Sequence, residues 1–166
     1  MTDEAGLLEI EKDRKTKTAV ICPVIKTAAG MMTAEEEAAR ENEAAGLVLA
    51  MGQEVAFCET VRMSAIVPKS FFGKGTLERL RTACEEKGAE LLVVDMPVSA
   101  VQQRNLEKML NMKVIDRTAV ILEIFGQRAQ TREGKLQVEL AHLTYQRGRL
   151  VRSWTHLERQ RGGGGF

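Results

Sequence analysis

The sequence has no run of 18 apolar residues, and this absence excludes a transmembrane helix. The first 17 residues contain no apolar block and no small-residue cleavage site, so we expect a flexible N-terminal tail (1–17) and not a signal peptide. The three cysteines are scattered and never spaced as CxxC, which argues against a disulfide framework and a zinc site. Together these absences predict a soluble, cytoplasmic protein.

Aromatic residues are also scarce, at 4% of the 166 residues, whereas hydrophobic residues make up 44%. We therefore expect a core of Leu, Val, Ile, Ala and Met. Strands are predicted at 18–25, 47–58, 90–95 and 113–116. Helices are predicted from Thr33 to a stop at Gly46, over 76–87 and over 99–111, with a loop at 59–75. The alternation predicts an α/β lobe over 18–116, with a small four-stranded, mainly parallel sheet flanked by helices.

The pattern changes after Asp116. Apolar residues at helical spacing predict a helix over 117–130, and a polar turn at 131–134 leads to a longer helix over 135–160. Two helices joined by a short turn predict an antiparallel hairpin over 117–160. The longer helix has an apolar seam that is typical of a helix packed on a partner; its members are Leu136, Leu140, Leu143, Leu150 and Trp154. The final residues, 161–166, read as a Gly-rich linker.

Charge is distributed unevenly along the chain. Residues 1–60 carry six Lys/Arg against twelve Asp/Glu, whereas residues 116–166 carry nine against five, and eight of those nine cations are Arg. Guanidinium groups bind phosphate and stack on bases, so this Arg-rich segment suggests contact with nucleic acid. A solvated helix face with intrahelical ion pairs is the alternative.

The sequence offers no catalytic set. Residues 71–76, FFGKGT, lack the GxxxxGK[ST] spacing of a P-loop, although Gly73, Lys74 and Gly75 precede a predicted helix and are a possible anion or nucleotide site. Asp95 and Asp116 end predicted parallel strands, where ligands commonly bind, but helix capping also accounts for them. The two histidines lie fourteen residues apart on one helix, about 21 Å, and therefore cannot share a metal ion. We expect no metal site.

The turn of the predicted hairpin is the most informative segment. Residues 126–135, GQRAQTREGK, combine Arg128, Arg132 and Lys135 with amides and a threonine, and only Glu133 opposes them. Cations at the end of a rigid arm suit RNA phosphates, and amides and Arg planes suit exposed bases.

The segments FFGKGTLERL, ELLVVD and VIDRTAVILEIFGQRAQTREGKLQVELAHLTYQRGRLVRSWTHLERQ resemble the N-terminal half of the HflX-type GTPases, which are ribosome-associated GTPases of bacteria. The resemblance implies that the Gly-rich end leads to a GTP-binding domain that is absent from this chain. That domain would hold GTP and Mg²⁺, whereas no cofactor is expected in this chain itself. It also implies binding to the large ribosomal subunit and its rRNA, with splitting or rescue of ribosomes under stress.

Carried over residue by residue, the resemblance implies an RNA-binding tip and further phosphate contacts along the arm. The tip would comprise Gln127, Arg128, Thr131, Arg132, Glu133, Gly134 and Lys135. The contacts along the arm would come from Arg147, Arg149 and Arg152. Two other hypotheses stay open: an ATP-binding α/β domain that acts at the carboxyl edge of the sheet, and a hairpin that docks on a protein or on the missing domain.

Overall fold

The computed structural model describes residues 14–160, and side chains as far as residue 149 except at position 148. It contains a four-stranded, all-parallel sheet with the strand order β2-β1-β3-β4. The strands are β1 (Lys17–Ile25), β2 (Glu54–Met63), β3 (Leu91–Val94) and β4 (Lys113–Asp116). The helices are α1 (Ala34–Ala50), α2 (Lys74–Lys87), α3 (Ala100–Leu110), α4 (Arg117–Arg128) and α5 (Arg132–Gln160). The predicted α/β class and four-stranded sheet are confirmed.

Alternating side chains of the strands build a separate core on each face of the sheet. Ala19 and Ile21 of β1 pack with α2 and α3, whereas Val20 and Cys22 pack with α1 and α4. All four are fully buried, as expected for a central parallel strand covered on both faces. The first core also holds the adjacent rings of Phe71 and Phe72, 4.9 Å apart edge to face.

Helix caps appear where the sequence places them. Thr33 forms a capping box with Glu36 at the start of α1, and Ser99 forms one with Gln102 at the start of α3. Gly88 ends α2 in the left-handed conformation (φ 66°).

The boundary between α1 and β2 differs from the prediction. The predicted helix stop at Gly46 is wrong, because α1 continues to Ala50. The predicted strand 47–58 is wrong in its first part and confirmed from Glu54, where β2 begins. Ala44, Val48 and Met51 are buried at helical spacing, so tertiary burial favours the helix. The predicted loop 59–75 is also wrong in its first part, since β2 continues through Met63.

Two further boundaries are shifted. Helix α2 begins at Lys74, within the segment read as a turn. Helix α5 begins at Arg132, so the connection between α4 and α5 is shorter than the predicted turn 131–134. At the N-terminus, the Thr16 amide donates to Gln53 Oε1 at 2.7 Å, so the end of the segment 1–17 contacts the sheet edge. Residues 1–13 of that segment and the linker 161–166 lie outside the described residues.

Helices α4 and α5 run antiparallel. Gly126 near the end of α4 lies beside Val138 and His142, whereas Asp116 at the start of α4 contacts Tyr145 and Arg149. Helix α4 is part of the core, because its buried residues join the cluster formed by α1, β1 and β3; they are Ala119, Val120 and Ile124. Helix α5 contacts both α4 and α3. The change of pattern at Asp116 therefore marks a new element on the same core.

The described leucines of the predicted apolar seam lie on the exposed side of α5. Leu136, Leu140 and Leu143 are 55%, 66% and 56% exposed, whereas Val138 and His142 lie beside Gly126 of α4. Two residues along a helix correspond to a turn of about 200°, which separates the two faces. The side chains of Leu150 and Trp154 lie outside the described residues. Within residues 14–160, no helix is long and apolar enough to cross a bilayer.

Candidate functional site: the two ends of the α4–α5 pair

The tip of the α4–α5 pair, residues 127–135, carries three exposed cations. Arg128 is the last residue of α4, Arg132 is the first of α5, and Lys135 lies one turn along α5. No ion pair to any of the three is found within the described part of the chain. Glu133 is exposed between them. The tip therefore presents a concentrated positive charge on a short, rigid turn.

Other tip residues build the turn. The Gly134 amide donates to Thr131 Oγ at 2.9 Å and the Lys135 amide donates to the Thr131 carbonyl at 2.9 Å, so Thr131 caps α5. A Cβ at Gly134 would lie 2.9 Å from Thr131 Oγ, which explains the glycine. Gln127 Nε2 donates to the Met51 carbonyl at 2.9 Å and ties the tip to the end of α1.

A shallow open groove of about 280 Å³ runs between α4 and α5 behind the tip. Its floor is apolar and its rim carries one acid, one base and one imidazole; it is lined by Gly126, Ala129, Lys135, Val138, Glu139 and His142. The sequence interpretation missed this groove, because it forms only when two helices meet.

The opposite end of the pair holds a buried polar cluster, which we call the joint: Asp116, Tyr145 and Arg149. Asp116 is 3% exposed and caps α4 as predicted, its Oδ1 accepting from the Ala119 amide at 3.0 Å. Oδ1 also accepts from the Tyr145 hydroxyl, and Oδ2 accepts from Arg149, each at 3.0 Å. The Val98 amide donates to Oδ2 at 3.0 Å.

Arg149 extends the joint to α3. Its guanidinium also donates to the Val98 carbonyl at 2.7 Å and to Gln103 Oε1, and it lies 4.3 Å from the centre of the Tyr145 ring. The Arg149 side chain is 20% exposed. Although the sequence suggests a phosphate contact for Arg149, the structure places it in this cluster. Arg147 is exposed on α5, and the side chain of Arg152 lies outside the described residues.

The surroundings of the joint shift the pKa of Tyr145. Burial raises the pKa of its hydroxyl well above the usual value, and the neighbouring Asp116 carboxylate raises the pKa further, while Arg149 opposes both. Tyr145 is the only tyrosine of the chain. It therefore reports on this one cluster in any tyrosine-specific measurement.

The carboxyl edge of the sheet carries a second arginine-rich cluster around Asp95. The Asp95 carboxylate accepts from Arg40 Nε at 3.1 Å and from Arg117 at 2.9 Å, and Arg117 also pairs with Glu43 at 2.6 Å. Hydrogen bonding to the two carboxylates raises the pKa of Arg117 above its usual value. The acids at this edge are thus already paired with guanidinium groups from α1, α4 and α5.

The other predicted anion site is the start of α2. Gly73 is the N-cap and, having no side chain, leaves the first turn without a side-chain cap; Lys74 and Gly75 follow, all three exposed. Across the described residues, no group of three or more His, Cys, Asp or Glu side chains has an arrangement that could hold a metal ion.

Comparison with known proteins agrees with this architecture. A family model described as GTP-binding GTPase N-terminal matches residues 38–126, and one described as GTP-binding GTPase Middle Region matches residues 128–166. The chain is 22% identical, with a TM-score of 0.59, to a GTP-binding protein from the hyperthermophilic archaeon Sulfolobus solfataricus in complex with GDP. That match covers 88% of this chain and 42% of the archaeal one, and at this identity it concerns the fold alone.

Curated relatives are more similar in sequence. The chain is 55% identical over 115 residues to the GTPase HflX of Magnetococcus marinus, which covers 69% of this chain and 27% of the relative. It is 48% identical over 120 residues to the GTPase HflX of Escherichia coli strain K12, covering 72% and 28%. The chain thus spans about a quarter of the length of these relatives. Since the N-terminal model alone matches more than half of the chain, the chain belongs to the HflX family of GTP-binding GTPases and corresponds to their N-terminal and middle regions.

Proposed function

We propose that this chain is an rRNA-binding and regulatory module of a GTPase that associates with the large ribosomal subunit in the cytoplasm. The whole protein would split or rescue ribosomes under stress. GTP and Mg²⁺ would bind in the part of the relatives that this chain does not match. In this account the chain supplies recognition of RNA and no catalytic group.

The observation that carries the proposal is the exposure of Arg128, Arg132 and Lys135 on one short turn. A cation that is exposed and lacks an acidic partner retains its charge for a phosphate, and each phosphate contact releases counterions. Thr131 and Gln127 hold the turn by hydrogen bonds, so little conformational entropy is lost when the tip binds. Arg147 adds a further candidate phosphate contact farther along α5.

The nucleotide-binding alternative has less support in the geometry. Arg40 and Arg117, the guanidinium groups next to Asp95 at the carboxyl edge, are already paired with its carboxylate. If a nucleotide phosphate took these arginines, the buried Asp95 carboxylate would lose its partners, which is costly. The turn at Gly73–Gly75 has only helix-terminus geometry in its favour.

The test is co-sedimentation of the chain with purified large ribosomal subunits over a series of salt concentrations. A variant with Arg128, Arg132 and Lys135 replaced by Ala should bind more weakly, and the slope of log K against log[salt] should fall by about 2–3. The matched control replaces Lys69, Lys87 and Lys108, three exposed cations outside α4 and α5, and should leave the slope unchanged. Equal binding by the tip variant and the wild type would refute the proposal.

A further inference from the structure

The joint contains an arginine whose position is at odds with direct RNA contact. Arg149 lies on the same helix as Arg132 and Lys135 of the tip. Its guanidinium nevertheless donates to acceptors from β4, from the segment before α3 and from α3 itself: Asp116, the Val98 carbonyl and Gln103. The pair with Asp116 joins residues 33 positions apart in the chain. Asp116 caps α4 at the same time, so one carboxylate connects the start of α4 to α5.

The other contacts of α5 lie nearer the tip. Val138 and His142 of α5 lie beside Gly126 of α4, and the groove opens between the two helices there. Leu136, Leu140 and Leu143 are exposed. Among the described residues, the polar cluster is a place where side-chain hydrogen bonds hold α5 to β4 and to α3.

We propose that Asp116, Tyr145 and Arg149 are positioning residues for RNA binding: they fix the direction of α5, and thereby the orientation of the tip, without contacting RNA. The inference rests on the proposed function for its RNA readout. It assigns to Arg149 a role opposite to that of Arg132, although both are arginines of α5.

The two possible roles of Arg149 give opposite predictions for its partner. If Arg149 binds phosphate, Asp116→Asn removes a negative charge next to it, and affinity for the large subunit should stay equal or rise. If Arg149 positions α5, Asp116→Asn should weaken binding as Arg149→Met does. We expect each change to reduce affinity about 2- to 30-fold, the range for residues that act outside the contact surface.

The salt dependence of binding provides a second way to distinguish the two possible roles of Arg149. If fewer molecules hold α5 in the orientation that binds RNA, the affinity falls in proportion to that fraction of molecules. The slope of log K against log[salt] then stays unchanged. A lost phosphate contact lowers that slope by about 0.7–0.9. Arg147→Met is the matched control, since Arg147 is an exposed arginine two residues away on the same helix. We expect a reduced slope for Arg147→Met and an unchanged slope for Arg149→Met.

Coupling between the residues provides the third readout. Asp116→Asn and Arg149→Met both break the contact between these two residues. The double variant should therefore bind no more weakly than whichever single variant binds more weakly. Should Asp116→Asn not fold, Arg149→Lys replaces it: a single ammonium retains the charge but lacks the planar fork that reaches several acceptors at once. Its affinity should lie between those of Arg149→Met and the wild type, with an unchanged slope.

Absorbance titration of Tyr145 tests the joint without RNA. In the wild type tyrosinate should form only above the usual pH of about 10. If Arg149→Met releases α5, Tyr145 becomes solvated and its pKa should fall towards the usual value. If the cluster stays closed, loss of the opposing Arg149 charge keeps the pKa raised, and the proposal is overturned.

The outcomes for the two proposals are separable. If the wild-type chain fails to bind large subunits, the proposed function is wrong. The Tyr145 titration still tests whether Arg149 holds α5 at the joint. If the tip variant weakens binding but Arg149→Met and Asp116→Asn do not, the proposed function stands and the positioning role is wrong. A reduced salt slope for Arg149→Met, with unchanged binding by Asp116→Asn, would make Arg149 an RNA contact.

Discussion

The two ends of the α4–α5 pair use the same residue type in opposite environments. At the tip, Arg128 and Arg132 are exposed on a turn held by backbone and hydroxyl hydrogen bonds. At the joint, Arg149 is mostly buried, pairs with a carboxylate that is 3% exposed and stacks on an aromatic ring. A guanidinium that is paired with a buried carboxylate is costly to unpair, whereas one that faces solvent is available to a polyanion. The amino-acid composition counts the tip arginines and Arg149 equally as basic charge.

The largest expected effect is at the joint. Asp116→Ala removes one acceptor from Arg149, the Tyr145 hydroxyl and two backbone amides, and leaves a buried guanidinium without its partner. We expect a loss of about 3–5 kcal/mol in the free energy of unfolding, measured by urea denaturation. The triple tip variant is the comparison and should unfold at nearly the wild-type urea concentration. Equal stability of Asp116→Ala and the wild type would contradict the assignment of the joint.

A smaller loss of stability should distinguish a core side chain of α4 from an exposed side chain of α5. Ile124 of α4 is 5% exposed in the core shared with β1 and β3, whereas Leu140 of α5 is 66% exposed. Ile124→Ala should cost about 2–4 kcal/mol, because it leaves a cavity, and Leu140→Ala should cost less than about 0.5 kcal/mol. Thermal unfolding of the two variants in parallel measures the difference. Similar costs would mean that α5 packs through its leucines in this chain.

The smallest effect concerns the cap of α5. Thr131→Ala removes the acceptor of the Gly134 amide and should cost about 1 kcal/mol in the stability of the first turn. Thr131→Ser is the control, since it retains the hydroxyl. Hydrogen exchange of the amides of residues 132–135 should be faster in Thr131→Ala and close to the wild type in Thr131→Ser. Unchanged exchange in both would exclude a capping role.

Most of the sheet follows from local sequence. The strands at 18–25 and 113–116 and the caps Ser99 and Asp116 are predicted, because apolar runs and side-chain caps act over a few residues. Helix α1 is predicted only as far as Gly46, although it continues to Ala50. Beyond Gly46 the run LVLAM is apolar enough for a strand, and only burial of Val48 and Met51 against the sheet decides for a helix.

The joint could not be predicted from local sequence patterns. Its residues are 29 and 33 positions apart, and their meeting depends on how α5 lies against the start of α4. Likewise, Leu136, Leu140 and Leu143 predict a packed seam by their spacing, but spacing does not tell which face turns towards α4. The exposed cations at the tip were identifiable because a short polar turn leaves little room for burial.

One salt series with purified large ribosomal subunits tests the account most directly: the wild type, the triple tip variant and Arg149→Met in parallel. The account predicts weaker binding by both variants, with a slope of log K against log[salt] that falls by about 2–3 for the tip variant and is unchanged for Arg149→Met. Equal slopes for the tip variant and the wild type, or a reduced slope for Arg149→Met, would contradict the division of roles between the two ends of the pair.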